Sequence, residues 1–189
     1  TPDQPIYLGK LPTASDPSTW RDIKVYQDYA FVVSEAADHG LQVFDLTRLR
    51  DVTRVQRFTA DARLNSFGNA HNIAINETSG FAYVIGSKLF DGGPAFIDIN
   101  DPLNPTLVGG FSDESYSHDA HIVTYDGPDL EHQGKEIYFG SNSDGGMNNQ
   151  VVIVDVTDKT APILISNITY SNGGYTHQGW LAEDHQYYY

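Results

Sequence analysis

Three segments of this 189-residue chain are near copies of one another, and they recur at almost constant spacing. Gln42-Val43-Phe44-Asp45-Leu46-Thr47, Ala95-Phe96-Ile97-Asp98-Ile99-Asn100 and Val152-Ile153-Val154-Asp155-Val156-Thr157 each run through apolar residues into Asp. An aliphatic residue follows, then Thr or Asn. The Asp-to-Asp steps are 53 and 57 residues. A period of this size is the mark of a repeat architecture, in which each unit buries its apolar surface only by stacking on its neighbours.

The likeness extends beyond the Asp. A polar turn precedes each copy: Asp38-His39-Gly40, Asp91-Gly92-Gly93 and Asp144-Gly145-Gly146. Glycine supplies the positive φ that tight hairpins need. Before each turn lie two runs rich in Val, Ile, Tyr and Phe, as in Ile73–Asn76 and Phe81–Ile85, and a further short run follows each Asp strand. Such residues suit a pleated, half-buried surface. Downstream of the Asp, Asp101-Pro102-Leu103-Asn104-Pro105 in the second copy matches Asp158-Lys159-Thr160-Ala161-Pro162 in the third, and the first copy, which lacks the second Asp and the prolines, is degenerate.

Each unit is therefore about four short strands without a helix, which is the blade of a β-propeller. The expected fold class is all-β, with blades at about 20–68, 69–117 and 118–175, and the start of another at 176–189. Residues 1–19 lead into the first blade. A β-sandwich accounts for the strands but not for the spaced Asp copies. Known propellers close with about 4–8 blades, so three and a half blades predict a piece of a larger propeller, completed by further chain or by another copy.

Charge narrows the partners. With 25 acidic and 11 basic residues the net charge is −14, which disfavours nucleic acid and anionic membrane. Arg48, Arg50, Arg54 and Arg57 are expected to be a solvated blade edge. No apolar run reaches the roughly 18 residues of a membrane span. The start at Thr1-Pro2-Asp3 resembles a mature terminus left by processing, so export is expected. With no cysteine, disulfides and thiolate chemistry are excluded. Two glycosylation sequons, at Asn76 and Asn167, would matter only in a eukaryotic secretory host.

Val152-Ile153-Val154-Asp155-Val156-Thr157-Asp158 resembles the motif that names the LVIVD-repeat proteins, and the wider chain is similar to the choice-of-anchor B family of surface proteins. Gly68-Asn69-Ala70-His71-Asn72-Ile73, His118-Asp119-Ala120 and Tyr175-Thr176-His177-Gln178-Gly179-Trp180 carry the wider likeness. The resemblance implies a propeller exported to the bacterial surface or medium and assigns no biochemical activity.

Chemistry points to the histidines. Aligning the first strands on Ile23, Ile73 and Ile122 places Arg21, His71 and Ala120 in one column, with Asp22, Asn72 and His121 in the next. His118 lies just ahead, and the fourth repeat adds His177 and Gln178. The first strand of a blade lines the central channel, so His71, His118 or His121, and His177 are expected at one channel mouth. Asp119 stands beside them. Neutral imidazoles suit Zn²⁺ or Cu²⁺; the alternative is that these groups hydrogen-bond loop backbone and close the mouth. Ca²⁺ at the segments 141–146 or 100–104 is a weaker possibility, since neither matches a calcium loop and both read as turns. His39 reads as a turn residue, and His132 and His185 as exposed. Asp45, Asp98 and Asp155 are expected to fix turn geometry.

No nucleophile elbow or phosphate-cradling loop is present. The function expected is binding or scaffolding, with protein or surface glycan as partner. A metal-dependent hydrolase or lactonase-like enzyme, or a structural subunit of an extracellular assembly, are the alternatives.

Overall fold

Each repeat folds into an antiparallel four-stranded meander, and neighbouring meanders pack face to face. The structure, a computed structural model, describes residues 3–143, 145 and 148–189; the turn expected at 144–146 falls partly outside them. A short strand β1 (Gly9–Lys10) precedes the first sheet, which contains β2 (Arg21–Tyr26), β3 (Tyr29–Ser34) and β4 (Leu41–Asp45). Strand β5 (Gln56–Arg57) pairs in parallel with β1, and β6 (Ala62–Leu64) completes the first sheet. The second sheet runs β7 (Asn72–Asn76), β8 (Phe81–Ile85), β9 (Ala95–Asp98) and β10 (Thr106–Gly110). The third runs β11 (Ser117–Thr124), β12 (Glu136–Asn142), β13 (Gln150–Asp155) and β14 (Ile163–Thr169). Among the described residues the only helical turns are two short 3₁₀ segments, Leu46–Leu49 and Phe90–Gly92.

Strand periodicity decides which faces meet. Successive side chains point to opposite faces of a sheet. In the second sheet Ala82, Val84, Ala95 and Ile97 face one way and pack on Phe31, Val33, Leu41 and Val43 of the first. Tyr83, Ile85 and Phe96 face the other way and pack on Ile122, Tyr138, Val152 and Val154 of the third. Both faces of the middle blade are thus core, which is why β8 reads as an unbroken apolar run. The Tyr83 ring meets Phe96 edge-on at 5.3 Å and Tyr138 at 6.2 Å. The first strands β2, β7 and β11 lie beside one another on the inside of the arc.

A buried ionic tie joins the second and third blades. Glu136 accepts hydrogen bonds from Asn76 Nδ2 (2.9 Å), Ser79 Oγ (2.7 Å) and Lys159 Nζ (2.7 Å). A buried carboxylate needs such partners, because an unpaired buried charge is costly. Asn76 is itself buried, and its amide also donates to Thr124. That sequon is closed to a glycan, whereas Asn167 on β14 is exposed.

The repeated Asp closes a turn in every blade. Asp45 Oδ1 accepts from Thr47 N–H at 2.8 Å, Asp98 Oδ1 from Asn100 N–H at 2.9 Å, and Asp155 Oδ1 from Thr157 N–H at 3.0 Å. The aliphatic residue between donates its own N–H to the preceding hairpin: Leu46 to Asp28, Ile99 to Gly80, Val156 to Glu136. The side chain of the third residue completes the clasp, since Asn100 Nδ2 bonds Ser79 O and Thr157 Oγ1 accepts from Glu136 N–H. The bonds from Thr47 hold the Asp45 carboxyl below its usual range. The motif is framework, and its spacing in sequence is the spacing of clasps.

Asp98→Ala removes an acceptor used twice, by Asn100 N–H and Nδ2. Urea unfolding should show a loss of about 1–2 kcal/mol, with Asp98→Asn milder because it keeps an acceptor oxygen. Unchanged stability in the alanine variant would show that the clasp is not a framework element.

Candidate functional site at the inner-strand mouth

The site is assembled from one position in each repeat, and the clasp fixes which. Asp45 pairs with Tyr29, Asp98 with Phe81 and Asp155 with Ile137. Four residues further along the second strand, Val33, Ile85 and Ser141 pair with Asp22, Asn72 and Asp119. The residues entering the innermost strands are therefore Arg21-Asp22, His71-Asn72 and His118-Asp119. Asn72 Oδ1 accepts from Ile73 N–H and Asp119 Oδ1 from Ala120 N–H, the same bond at equivalent positions. These three pairs, with His177 and Gln178 from the fourth repeat, line one polar cavity of about 330 Å³.

The structure thus places His71, His118, His177 and Asp119 together and His121 elsewhere. Aligning on Ile122 slips the third repeat by two residues. A two-residue slip keeps every side chain on its face, so the apolar pattern cannot detect it; β11 also bears a bulge between Ser117 and Asp119. His121 instead stacks on Trp180, with ring centroids 3.9 Å apart, and its Nδ1 accepts from Leu181 N–H at 3.0 Å. Burial, helped by the neighbouring His185, pushes its pKa down to about 4.

The three mouth imidazoles form a row. His71 and His118 have centroids 4.3 Å apart, and His118 and His177 are 4.2 Å apart. The partners fix the protons. His71 Nδ1 lies 2.5 Å from Glu35 Oε1, and His118 Nδ1 lies 2.8 Å from the His177 carbonyl oxygen. A carboxylate and a carbonyl only accept, so each Nδ1 carries a hydrogen, and Nε2 is the ring nitrogen left without a hydrogen-bond partner among the described residues. Burial holds the His118 pKa below its usual value, and the two flanking imidazoles add to this, against the carbonyl bond. Gly86 gives the row its room: at φ +67°, a Cβ there would sit 2.5 Å from His71 Cβ and 2.8 Å from the Tyr116 hydroxyl.

Several groups escape sequence reasoning. Glu35 follows the second strand of the first blade and has no motif around it, yet it is the acceptor that orients His71. Its structural equivalent in the third blade is Ser143, so comparison of the residues just after each second strand would have found the column. Tyr175 packs edge-on against His118 at 5.2 Å, and Tyr116 lies 6.3 Å from His71.

Other expectations fall into place individually. His39 is fully buried, with Nδ1 2.9 Å from Gly40 O, so it is a core group within its turn. His132 and His185 are part-buried rather than exposed and line an apolar groove with Tyr125 and Tyr188. Asp101 accepts from Leu103 N–H and Asn104 Nδ2, closing the turn expected at 100–104. Arg48 and Arg50 pair with Asp61 and Asp28 at the blade edge. Among the described residues no three His, Cys, Asp or Glu side chains are grouped to hold a metal ion, and no helix is long and apolar enough to cross a membrane.

Fold and repeat together define a protein of propeller-like blades. The LVIVD repeat family model matches residues 19–46, 67–113 and 145–169, more than half of the chain. The chain belongs to the LVIVD repeat family. No curated protein and no solved structure matches it.

His121 supplies a pH test. Unfolded, it takes up a proton near its ordinary pKa of about 6.5; folded, only near 4. Between these values the unfolded chain binds the extra proton, so this stabilising contribution is lost as pH falls from about 6.5 towards 4. His121→Asn keeps an acceptor for Leu181 N–H without the titration. Its melting temperature should fall less steeply over that window than the wild type's; parallel curves would contradict the assignment.

Proposed function

We propose that this chain is a secreted or cell-surface binding and scaffolding module that receives a polar ligand at the inner-strand mouth. The observation that carries the reading is the recurrence of one structural position: successive repeats deliver Asp22, Asn72, Asp119 and Gln178, each preceded by Arg or His, to a single cavity. A site shared among equivalent strands is the usual way a radial repeat builds a binding surface. The acidic chain favours cationic or neutral partners over nucleic acid, and exposed loops leave room for protein or glycan.

Such a row does not serve the core. Packing three imidazoles together yields little apolar burial, and desolvating them costs free energy, as the lowered His118 pKa records. Groups kept at a cost mark function rather than framework. His71→Ala/His177→Ala should melt within about 3 °C of the wild type, while Ile97→Ala, which opens the core between the first two blades, should lose about 2–5 kcal/mol. A double variant as damaged as Ile97→Ala would make the row a structural element and end the reading.

A second reading is supported by the proton positions. An imidazole whose Nδ1–H is held by an oxygen acceptor presents Nε2 as a ligand, the arrangement that orients metal-binding histidines. His71 and His118 both have it. Zn²⁺ or Cu²⁺ would take these two nitrogens and need at least one more donor. Calorimetric titration with Zn²⁺ should then give a saturable heat that His71→Ala/His118→Ala abolishes; equal heats in both proteins would rule this reading out.

A further inference from the structure

A second cavity, of about 510 Å³, adjoins the polar mouth and shares Trp20, His71 and His118 as a common wall. Its character is different. Three aromatic side chains, Trp20, Tyr116 and Tyr175, line it together with the carboxylate of Glu35. We propose that it binds an organic cation of the quaternary or methylated ammonium type, held between the aromatic rings and Glu35. This proposal does not depend on the reading of the polar mouth.

The aromatic groups are costly where they stand unless something covers them. The Trp20 residue is 60 % exposed and Tyr175 is 46 % exposed. The Trp20 backbone is tied to Glu35, its carbonyl accepting Glu35 N–H at 3.2 Å, and the Tyr175 ring rests edge-on against His118 at 88°. Tyr116 is held from behind by Gly86 and Gly92, whose lack of side chains lets its ring approach them. Burial, then the proximity of Tyr175 and Glu35, pushes the Tyr116 phenol up to about 12, which keeps it a neutral ring. Aromatic faces carry negative potential and attract a desolvated cation, most strongly for Trp.

Charge selects a cation over a neutral ligand. Glu35 Oε1 is taken by His71, while Oε2 has no protein partner among the described residues. Among the described residues no lysine or arginine lines this cavity; Lys88 stands with Glu35 on a different cavity and forms no ion pair with it. Among the described residues Glu35 is the only Asp, Glu, Lys or Arg on the walls of the aromatic-lined cavity, and the chain's net charge of −14 raises the local concentration of cations. A strongly hydrated ammonium gains less from rings than an alkylated one, which hydrates weakly and fills an aromatic-lined space.

The probe is choline, compared with 3,3-dimethyl-1-butanol, its uncharged isostere. Binding to the full chain is followed by calorimetry and by Trp20 fluorescence in a Trp180→Phe background, these being the two tryptophans present. Choline should bind saturably, and the isostere should bind at least about tenfold more weakly. Glu35→Gln keeps an oxygen for His71 Nδ1–H and should weaken choline by a similar factor, as should Tyr175→Ala. Gln178→Ala, at a residue that lines the polar mouth and not this cavity, should leave choline affinity unchanged. Equal affinity for the isostere, an unaltered affinity in Glu35→Gln, or no saturable binding would each overturn the proposal while leaving the polar mouth untested and intact. Thermal melts of Glu35→Gln and Tyr175→Ala that match the wild type make their affinities interpretable.

Discussion

The structure depends on the burial of sheet against sheet. A four-stranded meander has two faces, and in this chain the middle one is apolar on both: Ala82, Val84, Ala95 and Ile97 towards the first blade, Tyr83, Ile85 and Phe96 towards the third. Neither neighbour could leave these faces in water. Stacking is therefore obligatory, and it brings the first strands side by side. Everything at the inner mouth follows from that convergence. The clasps built on Asp45, Asp98 and Asp155 set how far each strand runs before it turns, so they fix which residue enters the innermost strand.

The mouth reverses the logic of the core. Its walls are imidazoles, carboxylates and amides, desolvated by the neighbouring blades but given few partners by them. Glu35 and the His177 carbonyl orient two of the rings through Nδ1, and this leaves Nε2 as the open valence of each. Orientation by an acceptor behind the ring is what prepares an imidazole to meet something in front of it. The adjoining space lined by Trp20, Tyr116 and Tyr175 has the complementary composition, apolar rings around one carboxylate. Two neighbouring cavities of different chemistry share a single imidazole wall.

Much of this was legible in the residues. The Asp copies gave away the repeat, the Gly-bearing turns and β-branched runs gave the strands, and the polar residues before the inner strand pointed to the stretch in which His71, His118, Asp119 and His177 line one cavity. What failed was the register of the third repeat. Alternation has a period of two, so Ile122 and Ala120 are equally good anchors by pattern, and only pairing across β12 distinguishes them. Glu35, Tyr116 and Tyr175 were missed for another reason: no recurring residue type marks their positions, Ser143 standing where Glu35 does in the third blade, and each reaches the site through tertiary packing. His39 misled in the opposite direction, since a turn position says where the backbone goes and nothing about whether the neighbouring blade covers the ring.

The central claim is that blade packing presents His71 and His118 with Nδ1 bound and Nε2 open. Long-range ¹H–¹⁵N correlation NMR of the histidine rings at neutral pH reads this directly. The account predicts that Nδ1 of both rings carries a hydrogen. Finding Nδ1 of both rings without a hydrogen would contradict it, because the bonds to Glu35 and to the His177 carbonyl could not then exist.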